Sequence, residues 1–238
     1  MSTQLEIKLL ELTKHGRRLT LHDIANVLHT DIYGVESKIQ ALSEIGCLIK
    51  SGDLIAAETS QRMALVERLI HSGHDPEHIA RHLDWQEFED FAEDSLKRNG
   101  FEVVKHLVFK TRNGRREIDL FAWSDTFVFA VDCKHWRRGL SQSSARIAAI
   151  AQIERVIALS ERPDIMIKKG FEDPFDRKIL PALFALFEPR ERIVEGVPVV
   201  DVTNLLSFLY GISPLDDRFR MIPVKSQPEQ TSLMPTSS

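Results

Sequence analysis

A carboxylate and an amine lie close together at the end of an apolar segment, in Val131-Asp132-Cys133-Lys134. In a β-strand, side chains two residues apart point to the same face, so Asp132 and Lys134 share a face. Charged groups on an otherwise apolar strand are costly to bury unless they are paired or bound to a metal ion. The spacing therefore predicts either an ion pair or a metal site at this strand.

A second carboxylate, Asp119, lies on the preceding strand, in Ile118-Asp119-Leu120. If the chain folds back through a turn at Ser124 and Asp125, Asp119 comes to lie beside Asp132. Two carboxylates arranged in this way form an all-oxygen site of the kind that Mg²⁺ prefers. We therefore expect Asp119 and Asp132 to contribute to one site.

A third carboxylate can come from a helix predicted over residues 85–98, where several acids lie close together. At about 100° per residue, the apolar positions define one buried stripe: Trp85, Phe88, Phe91, Ala92 and Leu96. Glu89 falls nearest the edge of this stripe, whereas Asp90 points almost directly away from it. We expect Glu89 to face the sheet and the other acids to form a solvated face.

The elements that position these side chains alternate between helix and strand from residue 84 onward. The apolar periodicity predicts helices over 85–98, 143–159 and 203–210, and strands over 101–111, 117–123, 126–136, 182–187 and 198–202. This alternation is typical of an α/β domain with a sheet flanked by helices. The stretch 59–83 is predicted to be a polar helical connector that precedes this domain. Residues 223–238, rich in Ser, Pro, Gln and Thr, are predicted to be a disordered tail.

Residues 1–58 form a separate pattern of three short helices followed by a β-hairpin. Thr20 is a predicted N-cap for the second helix, and Ser51-Gly52 lies between the two strands of the hairpin. This order resembles a winged helix, a variant of the helix-turn-helix. On the polar face of the third helix, Lys38 is the single positive charge, which is poor chemistry for binding phosphates. The unit could therefore contact DNA, contact another protein or mediate dimerisation.

Composition excludes several classes of protein. Among 238 residues, Lys and Arg number 31 and Asp and Glu 35, so a formal charge of −4 does not by itself indicate nucleic-acid binding. Two cysteines cannot form a disulfide framework or a four-ligand zinc site. The densest apolar stretches are far shorter than the ~20 residues of a membrane span, and the N-terminus has no signal-peptide pattern. We predict a cytoplasmic protein with no membrane partner.

The order Glu89, Asp119, Asp132-Cys133-Lys134, set in helix–strand–strand–strand–helix, resembles the PD-(D/E)xK nuclease superfamily with its restriction-endonuclease-like fold. The segments around Glu89 and Asp119, together with Asn99-Gly100-Phe101, look like the Mrr-type restriction endonuclease and archaeal Holliday-junction resolvase branches. The resemblance implies an α/β fold with a mixed sheet flanked by helices over 84–222, preceded by the winged-helix domain.

The resemblance also implies roles for individual residues. Glu89, Asp119 and Asp132, with the backbone carbonyl of Cys133, would hold one or two Mg²⁺ ions, with Mn²⁺ able to substitute. Lys134 would orient the attacking water or stabilise charge on the phosphate. Gln152 occupies the place of an accessory glutamine in related nucleases.

Local charge favours DNA as the substrate. Basic residues flank the predicted site on both sides, as a groove that follows a phosphate backbone requires. The predicted DNA contacts are Lys110, Arg112, Arg115, Arg116, His135, Arg137, Arg138 and Arg146. By analogy with nucleases of this size, we expect a homodimer, since cutting both strands takes two sites.

The function expected from these residues is a Mg²⁺-dependent DNA endonuclease that hydrolyses phosphodiester bonds by water attack. Two alternatives stay open. The winged helix could act as a non-catalytic DNA-binding or regulatory module on a nuclease-like scaffold, with Lys134 in a structural ion pair to Asp132 or Asp119. The protein could also be a Holliday-junction resolvase.

Overall fold

The N-terminal unit consists of three helices and a small antiparallel sheet. The computed structural model describes residues 2–75, 78–79, 81–111, 114–134, 141–186, 188–201, 203–213 and 215–225. The helices of this unit are α1 (Ser2–Leu12), α2 (Leu21–Leu28) and α3 (Ile32–Glu44). Its strands are β1 (Leu19–Thr20), β2 (Ile49–Ser51) and β3 (Leu54–Ala56), in the order β1-β3-β2.

Side-chain caps explain where two of these helices begin. The Thr20 side chain accepts from the backbone N–H of Asp23, and the Asp23 carboxylate accepts from the Thr20 N–H, which is a complete capping box. Asp31 caps α3 by accepting from the Gly34 N–H at 2.7 Å. These local signals fix the boundaries of α2 and α3 because each satisfies backbone donors that a helix start leaves unpaired.

Helix α4 (Thr59–His71) is a packed element, although the sequence predicted a polar connector. It buries Met63, Leu65, Val66 and Leu69 in a cluster that continues from α1 to the last helix of the chain. The prediction underestimated α4 because its apolar residues are interspersed with charged ones. One of those charged residues, Arg62, is itself buried.

The C-terminal part is built on a mixed seven-stranded sheet in the order β4-β5-β6-β7-β9-β8, with β10 paired to β7. Its strands are β4 (Glu102–Thr111), β5 (Gly114–Trp123), β6 (Val128–Lys134), β7 (Lys178–Ala185), β8 (Ile193–Val194), β9 (Val197–Asp201) and β10 (Ile222–Pro223). The pairs β4–β5 and β5–β6 are antiparallel, whereas β6–β7 and β7–β9 are parallel. The prediction of a mixed α/β sheet flanked by helices is confirmed.

Helices cover both faces of this sheet. The helices are α5 (Trp85–Arg98), α6 (Gln142–Ser160), α7 (Pro163–Lys168) and α8 (Leu205–Gly211). Phe88, Ala92 and Leu96 of α5 belong to a large apolar cluster, which also includes the buried residues of the N-terminal unit. This cluster is here called the α5-side cluster. Ala149 and Val156 of α6 belong to a second cluster, here called the α6-side cluster.

The structure differs from the sequence prediction at several places in the C-terminal part, and strand β8 was not predicted. Strand β7 begins at Lys178, whereas the sequence predicted a start at 182. The prediction began too late because Pro181 lies inside the strand, and a proline argues against a strand interior. Helix α7 was not predicted. Pro223, predicted to begin the tail, pairs with Lys178 in β10, and Val224 after it is buried; residues 226–238 lie outside the described part.

The helices of the described residues are short or polar relative to a bilayer. None of those helices is both long enough and apolar enough to cross a membrane.

Candidate active site

Asp119 and Asp132 meet where β5 and β6 lie side by side. The ladder between these strands ends with Leu120 opposite Val131. One step further in the same register, Asp119 lies opposite Asp132. The backbone N–H of Cys133 donates to Oδ2 of Asp119 at 2.7 Å, which fixes this carboxylate against β6. The fold therefore brings together the two strand acids that the sequence placed in one site.

Asp132 is a buried carboxylate between two cations. Its Oδ2 lies 2.7 Å from Nζ of Lys134, and its Oδ1 lies 3.1 Å from a guanidinium nitrogen of Arg155. The ion pair that the sequence left open for Lys134 is thus present. Within the described residues, Oδ2 nevertheless has no hydrogen-bond partner, so the Lys134 contact is charge proximity without hydrogen-bond geometry.

Glu89 is the buried acid of α5. Its helix begins with a capping box between Asp84 and Glu87, which sets the rotation of the first turns. Glu89 is 2% exposed and is the one acid between 84 and 94 classed as buried, as the helical spacing predicted. The Trp85 side chain hydrogen-bonds to it, and Nε2 of His106 lies 3.5 Å from its Oε2.

Electrostatics show that the three acids share one environment. Burial, together with the charges of Asp132 and Glu89, raises the pKa of Asp119 to about 6, although the Cys133 N–H and Lys134 oppose the shift. Burial also raises the pKa of Glu89. Since one pKa unit corresponds to about 1.4 kcal/mol, keeping Asp119 ionised at neutral pH works against the fold.

The chemistry of this donor set fits a hard divalent cation. Three buried or half-buried carboxylates offer oxygen ligands, and one of their oxygens, Oδ2 of Asp132, lacks a hydrogen bond among the described residues. Over the same residues, no group of three or more His, Cys, Asp or Glu is arranged to hold a metal ion. A shared ion therefore requires the carboxylates to draw closer together than they lie here. Burial raises the pKa of the Cys133 thiol well above its usual value, so that side chain is a neutral thiol and a poor ligand.

Gln152 is buried on α6 and is linked to Asp132 through Arg155. Its amide nitrogen donates to the Ala130 carbonyl at 2.8 Å, and its Oε1 accepts from Arg155 at 2.7 Å. Arg155 in turn contacts Asp132. Sequence reasoning missed Arg155, although its position three residues after Gln152 places both on one face of α6.

The predicted DNA contacts that the structure describes lie in two places, on the β4–β5 hairpin and, for Arg146, on α6. Lys110, Arg115 and Arg116 lie on the β4–β5 hairpin, at the end of β5 that continues beyond the last residue of β6. Arg115 lies 3.7 Å from Glu117, and Arg146 pairs with Glu195 at 2.8 Å. The other predicted contacts lie outside the described residues: Arg112, His135, Arg137 and Arg138.

Residues 80–167 match the family model described as a restriction endonuclease, the Mrr catalytic domain. The match supports the restriction-endonuclease-like nuclease superfamily. Every residue of the carboxylate site lies inside the matched segment, as do Gln152, Arg155 and His106.

Among solved structures, the chain is similar to the crystal structure of AF1548, a protein of unknown function. The identity is 18% over 44% of this chain, with a TM-score of 0.30. The chain spans about half of the length of that structure, since 49% of it is covered. No curated protein matches the chain.

Proposed function

We propose that this protein is a divalent-metal-dependent endodeoxyribonuclease that hydrolyses DNA phosphodiester bonds by water attack. The observation that carries the proposal is the meeting of Asp119 and Asp132 at the paired ends of β5 and β6, where burial and the neighbouring carboxylates raise the pKa of Asp119 to about 6. Such crowding is unfavourable in a purely structural role and is relieved when a cation binds. The match to a restriction endonuclease family over the same residues supports this proposal.

Glu89, Asp119 and Asp132, with the Cys133 backbone carbonyl, are the proposed ligands of Mg²⁺, with Mn²⁺ as a substitute. Mg²⁺ held by these residues would polarise the scissile phosphodiester and lower the pKa of the attacking water. Lys134, whose side chain is partly exposed, orients that water or stabilises the negative charge that develops on the phosphate. Arg155, held by Gln152, keeps the Asp132 carboxylate in place and contributes a second positive charge.

DNA is proposed to lie along the β4–β5 hairpin. Lys110, Arg115 and Arg116 project there beyond the end of β6, where a phosphate backbone that passes the carboxylates can contact them. Arg146 and the basic residues outside the described part extend this proposal to the start of α6. Cutting both strands of a duplex takes two sites, so we propose a homodimer.

Residues 1–58 are proposed to form a winged-helix domain. Their element order and antiparallel hairpin support this assignment. The outer face of α3 exposes Tyr33 at 81%, while Lys50 of the hairpin lies 3.5 Å from Glu36 and 3.3 Å from Gln40. Because Lys50 is engaged by Glu36 and Lys38 is the single basic residue of α3, this face suits contact with a protein better than contact with phosphates. The free cysteines fit the proposed cytoplasmic location.

The test is the nicking of supercoiled plasmid by the full chain, with Mg²⁺ or with EDTA. We expect nicking to require Mg²⁺. In Asp132→Ala and Lys134→Ala its rate should fall by more than about 100-fold, which exceeds the loss expected when a residue that only contacts a metal ligand is removed. Asp94→Ala is the matched control, because Asp94 lies on the exposed face of α5. Its nicking should equal that of the wild type.

A non-catalytic DNA-binding protein is the second candidate, favoured by the direct contact between Lys134 and Asp132. It predicts intact plasmid in all samples with a gel shift retained. A junction resolvase predicts cleavage of four-way junctions at rates far above those of linear duplex with the same sequence.

A further inference from the structure

His106 adopts an unusual backbone conformation in the middle of β4, with φ of +49°. The pairing with β5 passes from Lys105 opposite Leu120 directly to Leu107 opposite Ile118. A left-handed conformation is unfavourable for a residue with a Cβ and is rare inside a strand. Such residues persist where the surrounding structure holds them, and they cluster at functional sites.

This conformation changes which side chains of the hairpin face the core. Val104 and Leu107 both pack in the α6-side cluster, although they are three residues apart. Ile118 and Phe121 on β5 show the same spacing of three in the same cluster. A regular strand places residues on one face only at even spacing. The irregularity therefore lies between Val104 and Leu107 on β4 and between Ile118 and Phe121 on β5. In the register of the two strands, His106 lies opposite Asp119 within this interval.

The ring of His106 bridges two acids at this point. Its Nε2 lies 3.5 Å from Oε2 of the buried Glu89, and its Nδ1 lies 3.2 Å from Oε1 of Glu117. The His106 side chain is 50% exposed, so nothing in its own burial accounts for the strained backbone. The geometry instead aims the ring from β4 at a carboxylate of α5.

We propose that His106 is a positioning residue that holds the Glu89 carboxylate in the orientation required for metal binding. This role rests on the proposed function, because it presumes that Glu89 is a metal ligand. The side chains that contact a metal-binding carboxylate orient it, and losing one costs about 10- to 100-fold in metal affinity or activity; His106 makes such a contact to Glu89 at 3.5 Å. The left-handed backbone at 106 is retained because it aims the ring at Glu89.

The experiment measures Mn²⁺ binding to the full-length protein by calorimetry, and thermal unfolding in EDTA. His106→Gly removes the ring and accepts the left-handed backbone freely. We expect its Mn²⁺ affinity to fall by about 10- to 100-fold, while its unfolding temperature in EDTA stays equal to that of the wild type or rises. A purely structural role for His106 predicts the opposite combination.

Two further variants separate the contacts of the ring. His106→Asn tolerates the left-handed backbone, but its amide reaches only the Nδ1 position, so its affinity should fall as in His106→Gly. His106→Gln carries an amide nitrogen to about the reach of Nε2 and should recover part of the affinity. His29→Gly is the matched control, since His29 has φ of 49° at the end of α2 and lies outside the site.

Wild-type Mn²⁺ affinity in both His106→Gly and His106→Asn overturns the positioning role while the proposed function stands. Absence of Mn²⁺ uptake by the wild type overturns the proposed function and this role with it. If His106→Gly fails to fold, the comparison of His106→Asn with His106→Gln decides the question.

Discussion

Two clusters of buried charge among the described residues, one around Arg62 and one around Asp132, differ in how fully their polar groups are satisfied. Arg62, 1% exposed, lies between α1, α4 and α5 and makes five hydrogen bonds, to Glu87, Thr13 and the carbonyls of Leu10 and His82. A guanidinium has five N–H donors, so this network is closed.

The carboxylate site is open by comparison. Asp132 contacts two cations, yet its Oδ2 has no hydrogen bond within the described part of the chain. Asp119 nearby has a raised pKa because its surroundings disfavour its charge. A closed buried network fixes one arrangement of the chain, whereas an incompletely satisfied one is costly unless something else binds. The comparison separates the closed network around Arg62, here called the junction, from a carboxylate site in which Oδ2 of Asp132 has no hydrogen bond among the described residues.

Breaking the closed network should have the largest effect on stability. Arg62→Met leaves Glu87 and two backbone carbonyls without their partner, and removal of one member of a buried ion pair costs roughly 3–5 kcal/mol. We expect a loss of that size in the free energy of unfolding, measured by urea denaturation. The Mn²⁺ affinity of the folded variant should remain that of the wild type.

Arg192→Met is the control for this substitution. Arg192 pairs with Glu188 at 3.0 Å, but both side chains are about two-thirds exposed. An exposed pair contributes about 0–1 kcal/mol. If the free energy of unfolding of Arg62→Met equals that of Arg192→Met, the hydrogen bonds of Arg62 do not contribute the expected stability.

Removing a charge from the open site should have the opposite sign. The pKa of Asp119 is about 6 in the folded protein and 3.8 as a reference, so the folded state binds the proton more tightly. The stability that this group contributes is present at low pH and is lost as pH rises from about 4 to 6. Over about two units the loss is up to roughly 3 kcal/mol.

Asp119→Asn therefore should be more stable than the wild type at pH 7, by up to roughly 3 kcal/mol, and should lack nicking activity. Urea denaturation at several pH values measures both the gain and the missing slope between pH 4 and 6. Asp94→Asn, on the exposed face of α5, should follow the wild-type curve. A variant that is less stable than the wild type at pH 7 would contradict the crowding of charge on which the proposed function rests.

Local signals made much of this architecture predictable. Helix α5 spans the predicted residues because Asp84, Glu87 and Asn99-Gly100 mark its two ends within the sequence. The burial of Glu89 followed from helical spacing alone. The approach of Asp119 to Asp132 followed from two strands joined by a short turn, since such a connection fixes the register.

Long-range geometry set the limit of prediction. The left-handed backbone at His106 has no local cause, because it depends on how β4 lies against α5 and β5. Arg155 was missed because α6 has small or apolar residues on several faces, so the sequence does not show which face meets the sheet. Strand β10 was missed because a two-residue pairing with β7 has no periodicity of its own.

The smallest effect is expected where the two regions are connected, at the start of α5. The Asp84 side chain accepts from the Glu87 N–H at 2.9 Å, and Oε2 of Glu87 accepts from the Asp84 N–H at 3.0 Å, so Glu87 serves both the cap and Arg62. Asp84→Ala should cost about 1 kcal/mol of stability, measured by urea denaturation.

Mn²⁺ affinity in Asp84→Ala should stay at the wild-type value. Glu89 lies one turn beyond the cap, where Phe88 and Ala92 pack in the α5-side cluster and hold the helix in place without it. Asp84→Ser, which restores a capping oxygen, should recover most of the lost stability. If affinity instead falls together with stability in Asp84→Ala and returns in Asp84→Ser, the junction and the carboxylate site are coupled through α5. The two clusters would then act as one energetically coupled unit, in which a change at the Arg62 network alters metal binding at Glu89.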